Sequence, residues 1–235
     1  MEWLGTTLSG NTDHSIAPWA YWHARCMVLA WGVLMPLGAL IARFFKVTPS
    51  QAWPHELDNR VWWNLHRGLQ WSGVVLMTAG LVLAFNHGTS SSAAAVWHAW
   101  AGWVLCLLGW TQVAGALLRG TKGGPTEPQV RGDHYDMTPW RRGFERLHKT
   151  LGWAAVAASA VVIVLGLVIV DAPRWMLLAL CSWWLVFGVV FVRLQARGRC
   201  IDTYQAIWGP DPAHPGNRVP PTGWGVRRPH AVKER

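Results

Sequence analysis

Five stretches of this 235-residue chain, 26–42, 69–85, 96–118, 150–170 and 175–192, are apolar almost without interruption. Each is close to the ~17–25 residues that a helix needs to cross a bilayer. A backbone surrounded by hydrocarbon must satisfy its own hydrogen bonds, and a helix does so within one segment. The chain is therefore expected to be an all-α integral membrane protein with five transmembrane helices, at about 20–44, 64–86, 96–118, 147–170 and 174–194. Its 51% hydrophobic content, 14% charge and 19 tryptophans are unlike an ordinary soluble domain. Trp19, Tyr21, Trp22, Trp62, Trp63, Trp97, Trp100, Trp175 and Trp208 flank the runs, where amphipathic rings favour the water–lipid boundary. Pro36, inside the first run, predicts a kink in that helix.

The net charge of +9 is distributed by side. With the spans alternating, one face receives 43–68, 119–149 and everything from 193 on, and with them 19 of the 21 Lys and Arg, all but Arg25 and Arg174. Such an excess marks cytoplasmic loops. This places the N-terminus outside (periplasmic) and the C-terminus in the cytoplasm, with a bacterial inner membrane as the expected location. The basic tail then reads as a topology signal next to lipid headgroups, and no nucleic-acid partner is expected. No basic n-region precedes the first run and no small-residue cleavage site follows it, so the first helix is expected to be retained. The four cysteines have no framework spacing, and no C-x-x-C-H motif is present. Three domains follow from this reading: an outer leader at 1–18, a transmembrane domain at 19–195, and a basic cytoplasmic tail at 196–235. Ten Gly or Pro among residues 209–235 predict a tail largely disordered after 209. Residues 120–137 should form an irregular loop in water, after which Thr138 can cap, and Pro139 begin, a helix running through His148 into the fourth span.

Six of the ten histidines, His14, His55, His87, His134, His214 and His230, fall in expected loops or tails and read as ordinary polar residues. The other four, His23, His66, His98 and His148, stand in the first turns of the first four spans, one in each. In an up-and-down bundle the N-terminal ends of helices one and three share a face, and those of two and four share the opposite one. His23 can thus meet His98, and His66 can meet His148, at levels roughly 20–30 Å apart for helices of this length. Zinc normally takes four ligands, and no acidic or thiol group joins either pair. Haem iron needs only two axial ligands from facing helices. Gly102 and Gly152 each lie four residues after a histidine, on its face, where small side chains leave room for a porphyrin; Gly73, Gly80 and Gly109 keep the same faces slender. Arg25, Arg67 and Lys149 adjoin three of the histidines and can meet propionates through charge-assisted hydrogen bonds. Gln112, fourteen residues after His98, should lie deep on that helix's face.

The segments "WHARCMVLAWGVLMPLGALIARFF", "WNLHRGLQWSGVVLMTAGLVLAF", "WHAWAGWVLCLLGWTQVAGALLRG" and "FERLHKTLGW" resemble the four core helices of the eukaryotic-type transmembrane cytochrome b561 family, including the branch attached to DOMON domains. The resemblance covers about 20–170 and is nearest to small stand-alone bacterial forms. It implies two b haems, ligated by His23 with His98 and by His66 with His148, and electron transfer across the membrane. Ascorbate-oxidising members carry a further helix before the core and a Tyr-Arg stretch at an inner helix end. Here the extra helix follows the core and "ALIARFFK" stands in that place, so the resemblance does not extend to an ascorbate site.

The expected function is transmembrane electron transfer through two bis-histidine b haems, one near each face, from a quinol or cytoplasmic reductant to an outer acceptor. Donor and acceptor, a quinone among the candidates, are not specified by the sequence. A second copy of the chain is a candidate partner. Two other classes fit the same features: a haem-free membrane protein (assembly factor or metal-binding transporter), and a haem-bearing anchor subunit of a larger redox complex.

Overall fold

The structure is a computed structural model that describes residues 2–12, 15–87 and 92–229; His14, His230 and the middle of the 86–95 connection lie outside these residues. Five helices are long and apolar enough to cross a membrane: α1 (Pro18–Phe44), α2 (Arg60–Phe85), α3 (Ala93–Leu118), α4 (Pro139–Ile169) and α5 (Arg174–Ala196). The chain is an integral membrane protein. The start of α4 is the expected one, because Thr138 Oγ1 accepts the Arg141 N–H at 3.2 Å and Pro139 opens the helix. It then continues unbroken through His148 to Ile169.

Ahead of Pro36, where a kink is expected, α1 contains a seven-residue π-helical segment, Val28–Leu34. Proline has no N–H to offer the carbonyl four residues earlier, which belongs to Gly32. Trp183 of α5 supplies the missing donor, its indole Nε1 lying 2.8 Å from that oxygen. Gln70 of α2 donates to the Met35 carbonyl at 3.0 Å. The irregular stretch is therefore held by side chains from neighbouring helices, which is how backbone irregularity survives at membrane depth.

The chain divides into two compact units, and the division runs through all five long helices. One unit comprises Met1–Pro36, Leu69–Trp110 and Ala154–Val190, and holds His23 and His98. In it the leader is docked: Arg174 N–H donates to the Thr6 carbonyl, Leu8 N–H donates to the Ala172 carbonyl, and the Ser9 hydroxyl donates to Asp171 at 2.6 Å. Glycines let the helices approach, since a Cβ at Gly73 would lie 2.9 Å from Met35, at Gly80 3.1 Å from Cys26, and at Gly109 2.9 Å from Met77.

The other unit comprises Leu37–Gly68, Thr111–Trp153 and Phe191–Arg235, and holds His66 and His148. Here the tail differs from expectation. It is described through 229 and forms α6 (Thr203–Trp208), capped by the Asp202 carboxylate, and a 3-10 turn at Pro215–Arg218. With the 119–138 segment it builds a polar-lined cap whose core is Trp62, Tyr135, Met137, Tyr204, Ile207 and Trp208. Trp62 and Trp208 are thus core residues of the cap and not boundary anchors, whereas Trp22, Trp97, Trp100 and Trp175 are exposed. Buried pairs lock the cap: Lys122 with Asp58 at 2.7 Å, and Arg228 with Asp202 at 2.6 Å. His134, expected in a watery loop, is wholly buried in the same unit. Burial, reinforced by neighbouring Arg141, holds its ring neutral and pushes its pKa down to about 3.

Candidate functional site

The four histidines come together as two pairs. His23 of α1 and His98 of α3 have ring centroids 6.1 Å apart at an interplanar angle of 75°; His66 of α2 and His148 of α4 are 6.3 Å apart at 83°. An imidazole–metal bond of about 2.0 Å and a ring radius of about 1.1 Å put the centroids of two trans ligands on one ion about 6.2 Å apart. Both pairs have this span.

Three of the four outward nitrogens are tied down. His23 Nδ1 donates to the Gly80 carbonyl at 2.9 Å, His66 Nδ1 to the Gly38 carbonyl at 2.9 Å, and His98 Nδ1 to the Val162 carbonyl at 3.2 Å. These bonds fix the tautomer and leave Nε2 as the free lone pair, the usual arrangement behind a metal-ligating histidine. His148 is held differently, by stacking on Phe144 at 5.2 Å, and its buried Nδ1 has no partner. Gly166 makes room for the His98 ring, since a Cβ there would sit 2.9 Å from its Cε1.

Gly102 and Gly152, the two glycines expected to open space, have few close neighbours. A Cβ at Gly102 would meet nothing within 4 Å, and one at Gly152 would meet only Gln112 Oε1 at 3.8 Å. Gly73, Gly80 and Gly109, expected to keep the same faces slender, are packed against other helices and leave no such room. Among the described residues no group of three His, Cys, Asp or Glu side chains converges, so neither pair is extended toward a zinc-type ligand set. Paired imidazoles with free Nε2 atoms and open glycine faces fit a flat macrocycle with axial ligation.

The three basic residues expected beside the histidines have other engagements. Arg25 is exposed, its guanidinium 5.2 Å from the Tyr21 ring and 4.9 Å from the Trp22 ring. Arg67 is exposed over Trp63 at 5.8 Å. Lys149 binds the Glu145 carboxylate at 3.0 Å and the Thr222 carbonyl at 2.9 Å.

Comparison with known proteins adds a second kind of information. The chain is similar to cytochrome b561 proteins and ferric-chelate reductases. A cytochrome b561, DM13 and DOMON domain-containing protein of Arabidopsis thaliana is 27% identical over 159 residues, covering 68% of this chain and 16% of its own length. A cytochrome b561 and DOMON domain-containing protein from the same plant is 29% identical, covering 65% of this chain and 33% of its own. A putative ferric-chelate reductase 1 of Xenopus laevis is 28% identical over 185 residues, covering 76% of this chain and 28% of its own. The chain thus spans a third or less of the length of these relatives. No family model matches it, and no solved structure matches it significantly.

Sequence reasoning missed two arginines beside the His66–His148 pair. Arg119 stands 4.5 Å from the Trp63 ring, which lies 6.4 Å from His66; Arg141 stands 5.6 Å from the Phe144 ring, which stacks on His148. Helical spacing carried the signal: Arg119 follows Gln112 by seven residues, and Arg141 precedes His148 by seven, so each returns to the same face two turns away.

Proposed function

We propose that the chain is a cytochrome b561-type electron carrier of the bacterial inner membrane that holds two b haems, one between His23 and His98 and one between His66 and His148. The observation that carries this reading is the pair geometry: two histidine pairs on different helices, each with the span of trans axial ligands, three of the four rings anchored through Nδ1 to a backbone carbonyl. The cytochrome b561 names of the relatives support it. Bound haem would supply one-electron redox chemistry.

The protein's share of the work is positional. The carbonyls of Gly80, Gly38 and Val162 set the orientation of the His23, His66 and His98 rings, and a haem held by two histidines would supply outer-sphere electron transfer rather than oxygen binding. Gly102 and Gly152 leave the adjoining faces open. A quinol or cytoplasmic reductant is the proposed donor and an outer soluble acceptor the proposed sink; the ferric-chelate reductase names among the relatives make chelated ferric iron the acceptor class to try first. The Lys/Arg excess on the side of 119–149 and the tail supports a cytoplasmic C-terminus.

The test is haem per polypeptide in detergent-purified protein, with a reduced-minus-oxidised visible spectrum. A ratio near two with a low-spin b-type spectrum is expected. Absence of haem after expression with ample haem supply overturns the proposal and leaves a haem-free membrane protein.

A further inference from the structure

The unit that holds His66 and His148 also holds a surplus of buried positive charge. Arg141 is 5% exposed and its Nε binds Glu145 at 3.2 Å, but its Nη1 is buried with no hydrogen-bond partner. Glu145 is already shared with Lys149 at 3.0 Å and faces His134 Nε2 at 3.5 Å. Arg119 is half-buried at the end of α3, and among the described residues its hydrogen bonding is limited to Nη1 with the Ala116 carbonyl. Burial, followed by the nearby cations Arg141 and Arg67, pushes its pKa down to about 10, with Glu127 the acidic neighbour that opposes them. A buried guanidinium with an unused donor is costly unless an anion completes it.

The two arginines flank the histidine pair in matching fashion. Arg119 reaches His66 across the Trp63 ring, and Arg141 reaches His148 across the Phe144 ring. A guanidinium lying against an aromatic ring can still donate hydrogen bonds from its edge, and at Arg141 the buried Nη1 is such a donor without a partner. Three lysines of the same unit are already engaged: Lys149 with Glu145 and Thr222, Lys46 with the carbonyls of Arg43 and Ile201, Lys122 with Asp58.

We propose that Arg119 and Arg141 are the carboxylate-binding rim of the His66–His148 site and take the two propionates of the macrocycle held there. This rests on the haem reading of the pair. Arg67 and Lys149 are displaced from the role the sequence gave them, the first by exposure and the second by its existing bonds. The consequence is electrostatic. Reduction adds one electron, which nearby guanidinium charge favours. An uncompensated carboxylate left by removing an arginine favours the oxidised form.

The experiment is a redox titration of purified holoprotein, followed by the visible spectrum, on the wild type, Arg119→Gln, Arg141→Gln and, as a control in the other unit, Arg174→Gln, whose guanidinium lies over the Trp3 ring. The Arg119→Gln and Arg141→Gln variants are expected to keep two low-spin haems while the midpoint of the haem that His66→Ala removes falls by about 59 mV or more, a tenfold shift in its reduced-to-oxidised ratio. The second midpoint, and both midpoints in Arg174→Gln, should stay in place. Arg119→Lys and Arg141→Lys keep the charge and should recover most of the shift, which also covers a glutamine variant that fails to fold. Unchanged midpoints in glutamine variants that retain both haems overturn the assignment. So does a shift confined to the His23–His98 haem. If the midpoints hold and only inhibition by added citrate weakens, the rim serves a free carboxylate and the propionate assignment is wrong. A wild-type protein without haem would refute the haem reading itself, a separate outcome.

Discussion

Three of the four paired histidines are held by a backbone partner that the histidine pattern alone would not show. The carbonyls of Gly80, Gly38 and Val162 hold three rings, and Gly166 gives the His98 ring its space. Gly102 is the sharpest probe at this scale, because a Cβ there meets nothing in the protein. Gly102→Val should therefore leave the helix content and melting temperature of the haem-free protein nearly unchanged, yet weaken haem retention at His23–His98 at least tenfold, about 1.4 kcal/mol. Circular dichroism and the haem-to-protein ratio on washing check this; full retention would mean that the open face is not where the macrocycle lies. The four histidines were legible from the sequence because a ligand must recur once per helix at a set depth. Their carbonyl partners were not, since any residue supplies a carbonyl and only helix packing decides which one a ring meets. The glycines divided for the same reason: spacing put five of them on ligand faces, but only packing separates Gly102 and Gly152, which stay open, from Gly73, Gly80 and Gly109, which seat neighbouring methionines and a cysteine.

Among the elements, α1 shows how a defect is made tolerable. Pro36 deprives the Gly32 carbonyl of its usual donor, the chain winds as a π-helix over Val28–Leu34, and Trp183 completes the oxygen at 2.8 Å. Trp183→Phe keeps the ring but removes the donor. It should cost about 1 kcal/mol, the worth of one such bond, whereas Trp175→Phe at an exposed site should cost close to nothing. Chemical or thermal unfolding in detergent measures both. The Thr138–Pro139 start of α4 was readable because capping is a local rule. The cap that includes α6 was not. Its core joins Trp62, Tyr135, Tyr204 and Trp208 from three separated segments with no shared periodicity, and its abundant glycine imitates a disordered composition. At Gly123, with φ +65°, the glycine serves order, because a Cβ there would lie 2.7 Å from the Trp208 ring.

At the scale of the whole molecule, the two histidine pairs fall in two different compact units, each pair complete within its own. Neither pair takes a ring from the other unit, so the two sites should be separable by substitution even though every long helix contributes to both units. The pairing itself, first helix with third and second with fourth, is the central claim. The measurement that tests it most directly is haem content, with the resolved reduced-minus-oxidised spectrum, for His66→Ala, His148→Ala, His23→Ala and His98→Ala side by side. The account predicts that His66→Ala and His148→Ala lose the same haem, and that His23→Ala and His98→Ala lose the other, each variant keeping about one haem per chain. Loss of different haems by His66→Ala and His148→Ala, with each variant otherwise folded, would contradict it.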